Sequence, residues 1–419
     1  MKRLWVLAWA MGALVAMAQD AASIPGADVE SLLAVAKANN PELASMRLEA
    51  LAAQQRIEQA YALPDPRLKI ELQDVSKMGA QNPTLWPSDV GSTRYTLTQE
   101  LPWFGTRALK REQATLAAQG SQAQVQTLWL DLAARIKQAY AQRYFLQRSA
   151  QLSQEVLGLM QGLEQIARAR YAGGLAPQQD TLRAQTEQSA MGAELIALQT
   201  ELRTNQSRMN ALLARPPSAP FAEPKALRAL PGAEQLDLAV LEQRARQHNP
   251  QLAADEAKWR AAEKGQELSL KGRYPSIVLG VAPTQFQGDV KAWDLMLEMN
   301  IALWQGTRRA QEREALAMRD AAEARRNATA NQVLADLSEN LLALQGAQQT
   351  ESLVSNSLLA QAELSLQSAL AGYEAGKLDF AAVLDAQRQI RQAKLSRIKA
   401  QAEGQARLAQ IERLLGVEL

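Results

Sequence analysis

The stretch "GYEAGKLDFAAVLDAQ", residues 372–387, interrupts a long tract of Ala, Gln, Leu and Arg that otherwise reads as helix. A matching stretch, "RYAGGLAPQQDTLRAQ", occupies residues 170–185. In each, a tyrosine is followed three residues later by a glycine, Gly174 or Gly376. Glycine readily adopts the positive φ that ends a helix and lets the chain reverse. The two stretches therefore predict two equivalent helical-hairpin tips.

Two further matches indicate that the whole chain is duplicated. Residues 39–72 match 248–281, and residues 101–119 match 302–320; with the tips, the offsets are 209, 201 and 202 residues. Each copy opens at Asn-Pro, since proline suits the first helical position, and continues through two strand-like segments, a long helix, the glycine break and a return helix. We predict a signal peptide at 1–18, a first repeat at 19–213, a proline-rich connection at 214–235 and a second repeat at 236–419.

The strand-like segments alternate between apolar and polar residues. The alternation is strict in "RLKIEL" at 67–72 and recurs within 95–101, 277–281 and 295–303. Such a period predicts a sheet with one apolar and one polar face, which an ordinary soluble sheet packed on helices would also have. Aromatic residues near strand ends instead favour the girdles of a membrane barrel. These are Trp86, Trp103, Trp293 and Trp304.

Four strands are too few to close such a barrel, because known membrane barrels have about 8 or more. An open sheet edge in lipid leaves backbone groups unpaired. If these strands span a membrane, several copies of the chain must pool them.

The helical tracts are long enough to form a rod. Residues 108–171 would extend about 96 Å at 1.5 Å per residue, and residues 309–373 are similar. Apolar residues in the first tract follow a heptad rhythm, which predicts a coiled-coil seam. The seam residues are Leu152, Val156, Leu159, Leu163 and Ile166. The connection at 214–235 holds five prolines, so we expect it to wrap the helices rather than join them.

The first twenty residues, "MKRLWVLAWAMGALVAMAQD", predict export. Lys2 and Arg3 precede an apolar run and an Ala-Met-Ala site ending at Ala18, and the run is too short for a membrane anchor. Without residues 1–18 the chain keeps 44 of its 46 basic residues and all 44 acidic ones. The resulting zero formal charge argues against a nucleic-acid-binding protein.

Residues for catalysis are scarce. The chain has one histidine, His248, and no cysteine, which excludes a histidine-based triad, a thiol nucleophile and the usual zinc sites. The glycines at 171–176 lack the strand and the Lys-Ser/Thr of a phosphate loop. We predict a protein that is not an enzyme and has no cofactor or metal site.

The duplicated Asn-Pro helix starts, the paired strands, the Gly-Thr-Arg entries to the long helices and the tyrosine-containing glycine breaks resemble the TolC-like outer-membrane efflux factors. The resemblance covers roughly residues 28–416, and "QELPWFGTR" at 99–107 is most similar to the heavy-metal or cation branch. It implies a mainly α fold with a membrane β-barrel portion. Three chains would pool four strands each into a twelve-stranded barrel, and their antiparallel coiled-coil helices would form a periplasmic tunnel. Many members are lipidated at a cysteine, which this chain lacks.

The family also implies a gate at the second tip. Its pattern, Tyr-x-x-Gly-x-x-x-x-x-Asp-Val-Leu-Asp-Ala, can place two inward-facing aspartates around the closed aperture. Here the second aspartate is Asp385, whereas the first falls on Ala382. Asp379 lies about one turn earlier and would partly substitute, and Asp180 takes the place equivalent to Ala382 in the first copy. We therefore expect a pore gate at Asp385, Asp379 and Asp180.

A structural role competes with the gate for two of these residues. Asp180 and Asp379 lie within about one turn of a helix break, where a carboxylate caps the helix and complements its dipole. Arg183 stands in the place equivalent to Asp385, so an ion pair between the helices near the tip is a further alternative.

The resemblance implies a passive exit duct, because the chain has no nucleotide motif to drive transport. An inner-membrane transporter would supply the energy, and a periplasmic adaptor would dock on the exposed tips. The predicted docking residues are Tyr171, Gly174, Leu175, Tyr373, Gly376, Lys377 and Leu378. The alternatives are a soluble periplasmic coiled-coil adaptor or scaffold and a diffusion porin, although long helices are foreign to porins.

Overall fold

A computed structural model describes residues 24–286, 288–301 and 303–419. The helices are α1 (Val29–Asn39), α2 (Pro41–Tyr61), α3 (Thr106–Ala172), α4 (Gln178–Leu212), α5 (Leu238–His248), α6 (Pro250–Lys271), α7 (Gln305–Leu353), α8 (Leu359–Glu374) and α9 (Phe380–Leu415). The strands are β1 (Arg67–Gln73), β2 (Ser92–Leu101), β3 (Ile277–Phe286) and β4 (Asp289–Met299). A 3-10 turn occupies Ala233–Gln235 and a π-helical turn occupies Val354–Leu358. The predicted signal peptide lies outside the described residues.

The described residues form two compact units. One contains the residues up to Leu43, Trp129–Ala245 and Ala335–Leu419, and we call it the tip unit. The other contains Ala44–Leu128 and Arg246–Leu334, and we call it the sheet unit. None of the helices in the described ranges is long and apolar enough to cross a membrane.

Both halves of the chain start a helix at Asn-Pro, as predicted. The Asn40 side chain accepts a hydrogen bond from the Leu43 N–H at 3.0 Å, and Asn249 accepts one from Leu252 at 2.9 Å. These caps satisfy amide groups that the first helical turn leaves free. A short helix, α1 or α5, precedes each cap and was not foreseen.

The sheet unit contains one antiparallel sheet with strand order β1-β2-β3-β4. One row across it joins Leu68, Leu97, Val281 and Leu295. The four strand segments predicted from alternation are therefore confirmed as strands. The predicted extension of the last strand to Leu303 is wrong, because β4 ends at Met299. The Asn300 N–H still donates to the Ser276 carbonyl at 3.2 Å, but the Leu303 N–H donates to the Ile301 carbonyl of its own segment at 3.0 Å.

The tip unit is built from paired helices around an apolar core. Leu152, Val156 and Leu163 of the predicted α3 seam are buried. Leu159 and Ile166 are instead exposed, and Met160 and Ala167 occupy the buried positions. An α-helix with 3.6 residues per turn drifts about 20° per heptad. The buried stripe therefore moves by one position along the helix.

The proline-rich connection lies against the helices of the tip unit. Asn210 of α4 donates to the carbonyls of Pro217 and Ala219 at 3.0 and 2.9 Å. Gln348 of α7 donates to the Pro231 carbonyl at 3.0 Å. Because these carbonyls cannot join a helix ladder, the amide side chains satisfy them.

A buried carboxylate fixes the connection to two helices. Glu412 of α9 is buried and accepts from Lys137 of α3 at 2.8 Å and from Arg228 of the connection. Lys137 also reaches Glu418 at 2.7 Å. Removing one partner of such a cluster would leave an uncompensated buried charge, so it holds these segments together.

Candidate functional site

The two hairpin tips have the same backbone geometry. Gly174 and Gly376 have φ angles of 70° and 69°. The Leu175 N–H donates to the Arg170 carbonyl, and the Lys377 N–H donates to the Gly372 carbonyl, both at 2.8 Å. This is the glycine-ended helix terminus in which late carbonyls are satisfied by amides beyond the turn.

A tyrosine from the second tip joins the two hairpins. Tyr373 is buried, its ring centroid lies 5.4 Å from that of Phe380, and its hydroxyl donates to Asp180 of α4 at 3.3 Å. Burial raises the pKa of Tyr373, and the nearby Asp180 charge raises it further. The phenol therefore stays protonated and keeps donating to the carboxylate.

An arginine from the first tip completes this contact. Arg170 donates to the carbonyls of Tyr373 and Glu374, each at 2.9 Å, and its guanidinium lies 4.8 Å from the centre of the Tyr373 ring. It thereby satisfies two carbonyls at the end of α8. Sequence reasoning missed Arg170, because the equivalent residue in the second copy is Gly372 and the match carries no signal for a contact between copies.

The three predicted gate aspartates lie in different environments. Asp379 caps α9, accepting from the Ala382 N–H at 2.9 Å. Asp180 is buried beneath Tyr373. The Asp385 side chain is 68% exposed, with Arg388 as its nearest cation at 3.6 Å.

Ion pairs do join α4 and α9, but not through Arg183. Arg388 binds Glu187, and Arg391 binds Glu194 at 2.6 Å. The α4–α9 ion pairs are therefore made further along the helices than the Arg183 position that the sequence suggested. Arg183 and Asp385 both line a cleft of about 300 Å³ between α4 and α9.

Most of the predicted docking residues are exposed at the tips. Tyr171, Leu175 and Leu378 present apolar surface, and Gly174, Gly376 and Lys377 are exposed beside them. Tyr373 differs because it is buried in the tip interior. Within the described residues no group of three or more His, Cys, Asp or Glu could hold a metal ion.

The sheet unit has the reverse of the burial expected for a soluble sheet. Its apolar face is open, and six leucine and isoleucine residues on it are exposed by 47–90%. They are Leu68, Ile70, Leu97, Leu279, Leu295 and Leu297. At the centre of the polar face, Thr96, Ala282 and Thr284 are only 4–8% exposed, and Arg94 bonds Asp294 across the strands at 3.0 Å. On the edge strands the polar face is open, since Lys69, Asp294 and Glu298 are exposed. An exposed apolar face of this extent indicates a surface that contacts an apolar environment.

Three of the four predicted aromatics lie beyond the ends of strands. Trp103 and Trp304 follow the ends of β2 and β4, and Trp103 stacks on Tyr274 at 4.9 Å between ring centroids. Trp86 lies in the connection between β1 and β2, whereas Trp293 lies within β4, as its fifth residue, and pairs with Pro283. Since β2 and β4 run in the same direction, Trp103 and Trp304 lie at one end of the sheet and Trp86 lies at the other.

Comparison with known proteins agrees with these features. The model of a family described as "Outer membrane efflux protein" matches residues 32–215 and 241–417. The chain is 25% identical over 399 residues to the cobalt-zinc-cadmium resistance protein CzcC of Cupriavidus metallidurans, covering 93% of this chain and 90% of that protein.

Solved outer-membrane proteins share the fold. The outer-membrane channel OprN aligns with a TM-score of 0.78 at 21% identity, covering 93% of this chain and 89% of OprN. The outer membrane protein VceC of Vibrio cholerae aligns with a TM-score of 0.79 at 19% identity, covering 93% and 96%. The resemblance found in the sequence is thus confirmed, and the chain belongs to the outer membrane efflux protein family.

Proposed function

We propose that this protein is the outer-membrane exit duct of a tripartite efflux system. The observation that carries the proposal is the sheet whose apolar face is exposed while the centre of its polar face is covered. Such a sheet is stable where lipid covers the apolar side and where the polar side lines an aqueous passage. The duct is passive, and an inner-membrane transporter and a periplasmic adaptor supply the energy and the opening.

The duct is a homotrimer. In one chain the sheet ends at β1 and β4, and neither edge strand has a second neighbour among the described residues. Unpaired edges in lipid leave backbone groups without hydrogen bonds. Three copies pool twelve strands, which exceeds the minimum of about 8 for a membrane barrel. Trp86, Trp103, Trp293 and Trp304 then lie at the two lipid–water interfaces.

Asp385 is the main gate residue. The carboxylates of Asp379 and Asp180 are engaged as a helix cap and as the acceptor for Tyr373, whereas Asp385 is exposed. Three copies of Asp385 around one axis form a ring of negative charge that attracts cations and excludes anions. Asp379 and Asp180 contribute to the negative potential near that ring. Because Ala382 replaces a second aspartate, the ring carries less charge than the full family pattern.

The cargo is a metal cation. Similarity to CzcC, a cobalt-zinc-cadmium resistance protein, supports this class. A cation passing a ring of Asp385 carboxylates meets attraction rather than a barrier, as transit requires. Selection among metals belongs to the transporter.

The adaptor docks on the exposed tips. Tyr171, Leu175 and Leu378 offer apolar anchors, with Lys377 beside them. The protein is exported by a cleavable signal peptide and resides in the outer membrane with a large periplasmic portion.

Membrane fractionation followed by unheated electrophoresis in mild detergent tests the duct. We expect the protein in outer-membrane fractions and a trimer that dissociates on heating. A monomer released without detergent would reject the duct and favour the soluble adaptor or scaffold. Cells lacking the protein should accumulate more Co²⁺, Zn²⁺ or Cd²⁺, and unchanged metal content would reject the cargo.

A further inference from the structure

The helix leading to the second tip contains one turn that the first tip lacks. Between α7 and α8, Val354–Leu358 forms a π-helical turn in which the Leu359 N–H donates to the Val354 carbonyl, five residues back. By contrast, α3 is α-helical from Thr106 to Ala172. π turns are rare, occur as single bulges and concentrate at functional sites.

A residue count explains the bulge. The chain has one residue more between Gly306 and Gly376 than between the equivalent Gly105 and Gly174. In an α-helix, one extra residue would rotate everything beyond it by about 100°. A π turn absorbs that residue locally, so the second tip keeps the same geometry as the first.

The buried stripe of the helix records the same adjustment. Ala347, Val354, Ala362 and Ala369 are buried. Their spacings are seven, eight and seven residues, and the eight spans the π turn. The bulge therefore preserves the packing face on both sides and breaks regularity only within itself.

The side of the bulge toward α7 is held firmly. Gln348 donates to the Pro231 carbonyl of the connection at 3.0 Å, and Glu351 accepts from Gln401 of α9 at 2.8 Å. These contacts end three residues before the π turn.

The side toward α8 belongs to the tip. Leu366, Ala369 and Tyr373 pack in the same core as Phe380 and Val383 of α9. Within the turn, the Ser355 hydroxyl is buried without a hydrogen-bond partner among the described residues. The bulge thus lies between a clamped segment and a hairpin end that packs as one body.

We infer that the Val354–Leu358 turn is the flexure at which α8 bends relative to α7 when the duct opens. An interrupted hydrogen-bond ladder is where a helix bends most easily. The first hairpin has no such point, because α3 and α4 are continuous. In the second hairpin α9 is continuous too, so the bend is confined to the helix that carries the π turn. This role rests on the proposed duct function, whereas the softness of the turn does not.

Hydrogen exchange on the purified full-length protein tests the softness of the turn directly. The amides of residues 354–359 should exchange at least about tenfold faster than those of residues 152–157 in α3, because local opening is easier there. Equal protection would overturn the flexure. The measurement needs no ion conduction, so failure of the duct proposal would leave it intact.

Deleting Ser355 tests the role in opening. The deletion restores regular seven-residue spacing, so the trimer should form with native yield; loss of the trimer would overturn the inference. The control is deletion of the equivalent Ser153 in α3, which has no extra residue, and this deletion should abolish the folded trimer. A native trimer formed by the Ser153 deletion variant would also count against the inference.

Conductance in planar bilayers then separates the proposals. In an Arg170→Ala background with a loosened tip, deleting Ser355 should return single-channel conductance to within about twofold of the native level. Conductance that stays at the Arg170→Ala level would overturn the gating role. A native protein and an Arg170→Ala variant that both fail to conduct would instead reject the duct.

Discussion

The two hairpin tips share one backbone turn but use their side chains differently. Gly174 and Gly376 end their helices with nearly the same φ. In the second hairpin, Asp379 caps the following helix with its own side chain. In the first, Pro177 precedes α4 without a side-chain cap, and Asp180 serves Tyr373 of the other hairpin. The two tips thus share the turn, while their polar residues form a helix cap in the second hairpin and a link to the other hairpin in the first.

Arg170→Ala should have the largest effect on this difference. It removes two charge-assisted hydrogen bonds and the contact with the Tyr373 ring, which together stabilise the tip by about 2–3 kcal/mol. We expect faster hydrogen exchange at both tips and higher single-channel conductance. Arg168→Ala, on the exposed face of the same helix, is the matched control. Equal behaviour of the two variants would contradict the link.

Tyr373→Phe should have the next largest effect. It removes one hydrogen bond to a carboxylate while keeping the packing against Phe380, at a cost of about 1.5 kcal/mol. Tyr171→Phe changes the equivalent but exposed tyrosine and should cost almost nothing. The difference is measured by following hydrogen exchange of the tip amides in both variants as urea is added. Equal urea midpoints would refute the claim that only Tyr373 stabilises the tips through its hydroxyl.

The same hydroxyl predicts a dependence on pH. The folded pKa of Tyr373 is raised above its ordinary value of 10.0, chiefly by burial. Its contribution is therefore complete below the unfolded pKa and is lost as pH rises through the folded pKa. Protection of the tip amides from hydrogen exchange should fall in this alkaline range in the native protein and should fall less in the Tyr373→Phe variant. An identical decline in both would assign the effect to other groups.

Asp379→Ala should have a smaller effect, confined to the second hairpin. Loss of an N-cap costs about 1 kcal/mol. We expect faster exchange at Ala382 and the first turn of α9, with α4 unchanged because its start has no side-chain cap. A change of equal size in α4 would show that the caps are not independent.

Asp385→Asn should leave stability almost unchanged, since the side chain is exposed. It should reduce cation over anion selectivity in planar bilayers. Glu374→Gln, also an exposed acid at the tip, is the control. If Glu374→Gln lowers cation selectivity as much as Asp385→Asn, the selectivity would come from the overall negative potential at the tip rather than from a ring of Asp385 carboxylates.

The parts of the fold that sequence reasoning reached depend on local rules. Alternation in "RLKIEL" located β1 because side chains of a strand point to opposite faces. The tip glycines located the helix ends because few other residues adopt positive φ. Leu159 and Ile166 were misplaced because a strict heptad ignores the true helical period.

The parts of the candidate site that it missed depend on contacts between distant segments. Arg170 and Tyr373 are 203 residues apart along the chain, and neither residue type announces the other. Likewise, a one-residue difference between copies does not say where the helix absorbs it. That position follows from which residues must stay buried on both sides.

The sequence by itself determined the four strands, the long helices, the tip turns and the family, because these follow from periodicity, glycine and proline. Only the tertiary structure decided that Asp180 is buried, that Asp379 caps, that Asp385 is open and that the π turn lies at Val354–Leu358. The physical reason is that burial and hydrogen-bond partners belong to the packed helices together, and not to any one segment.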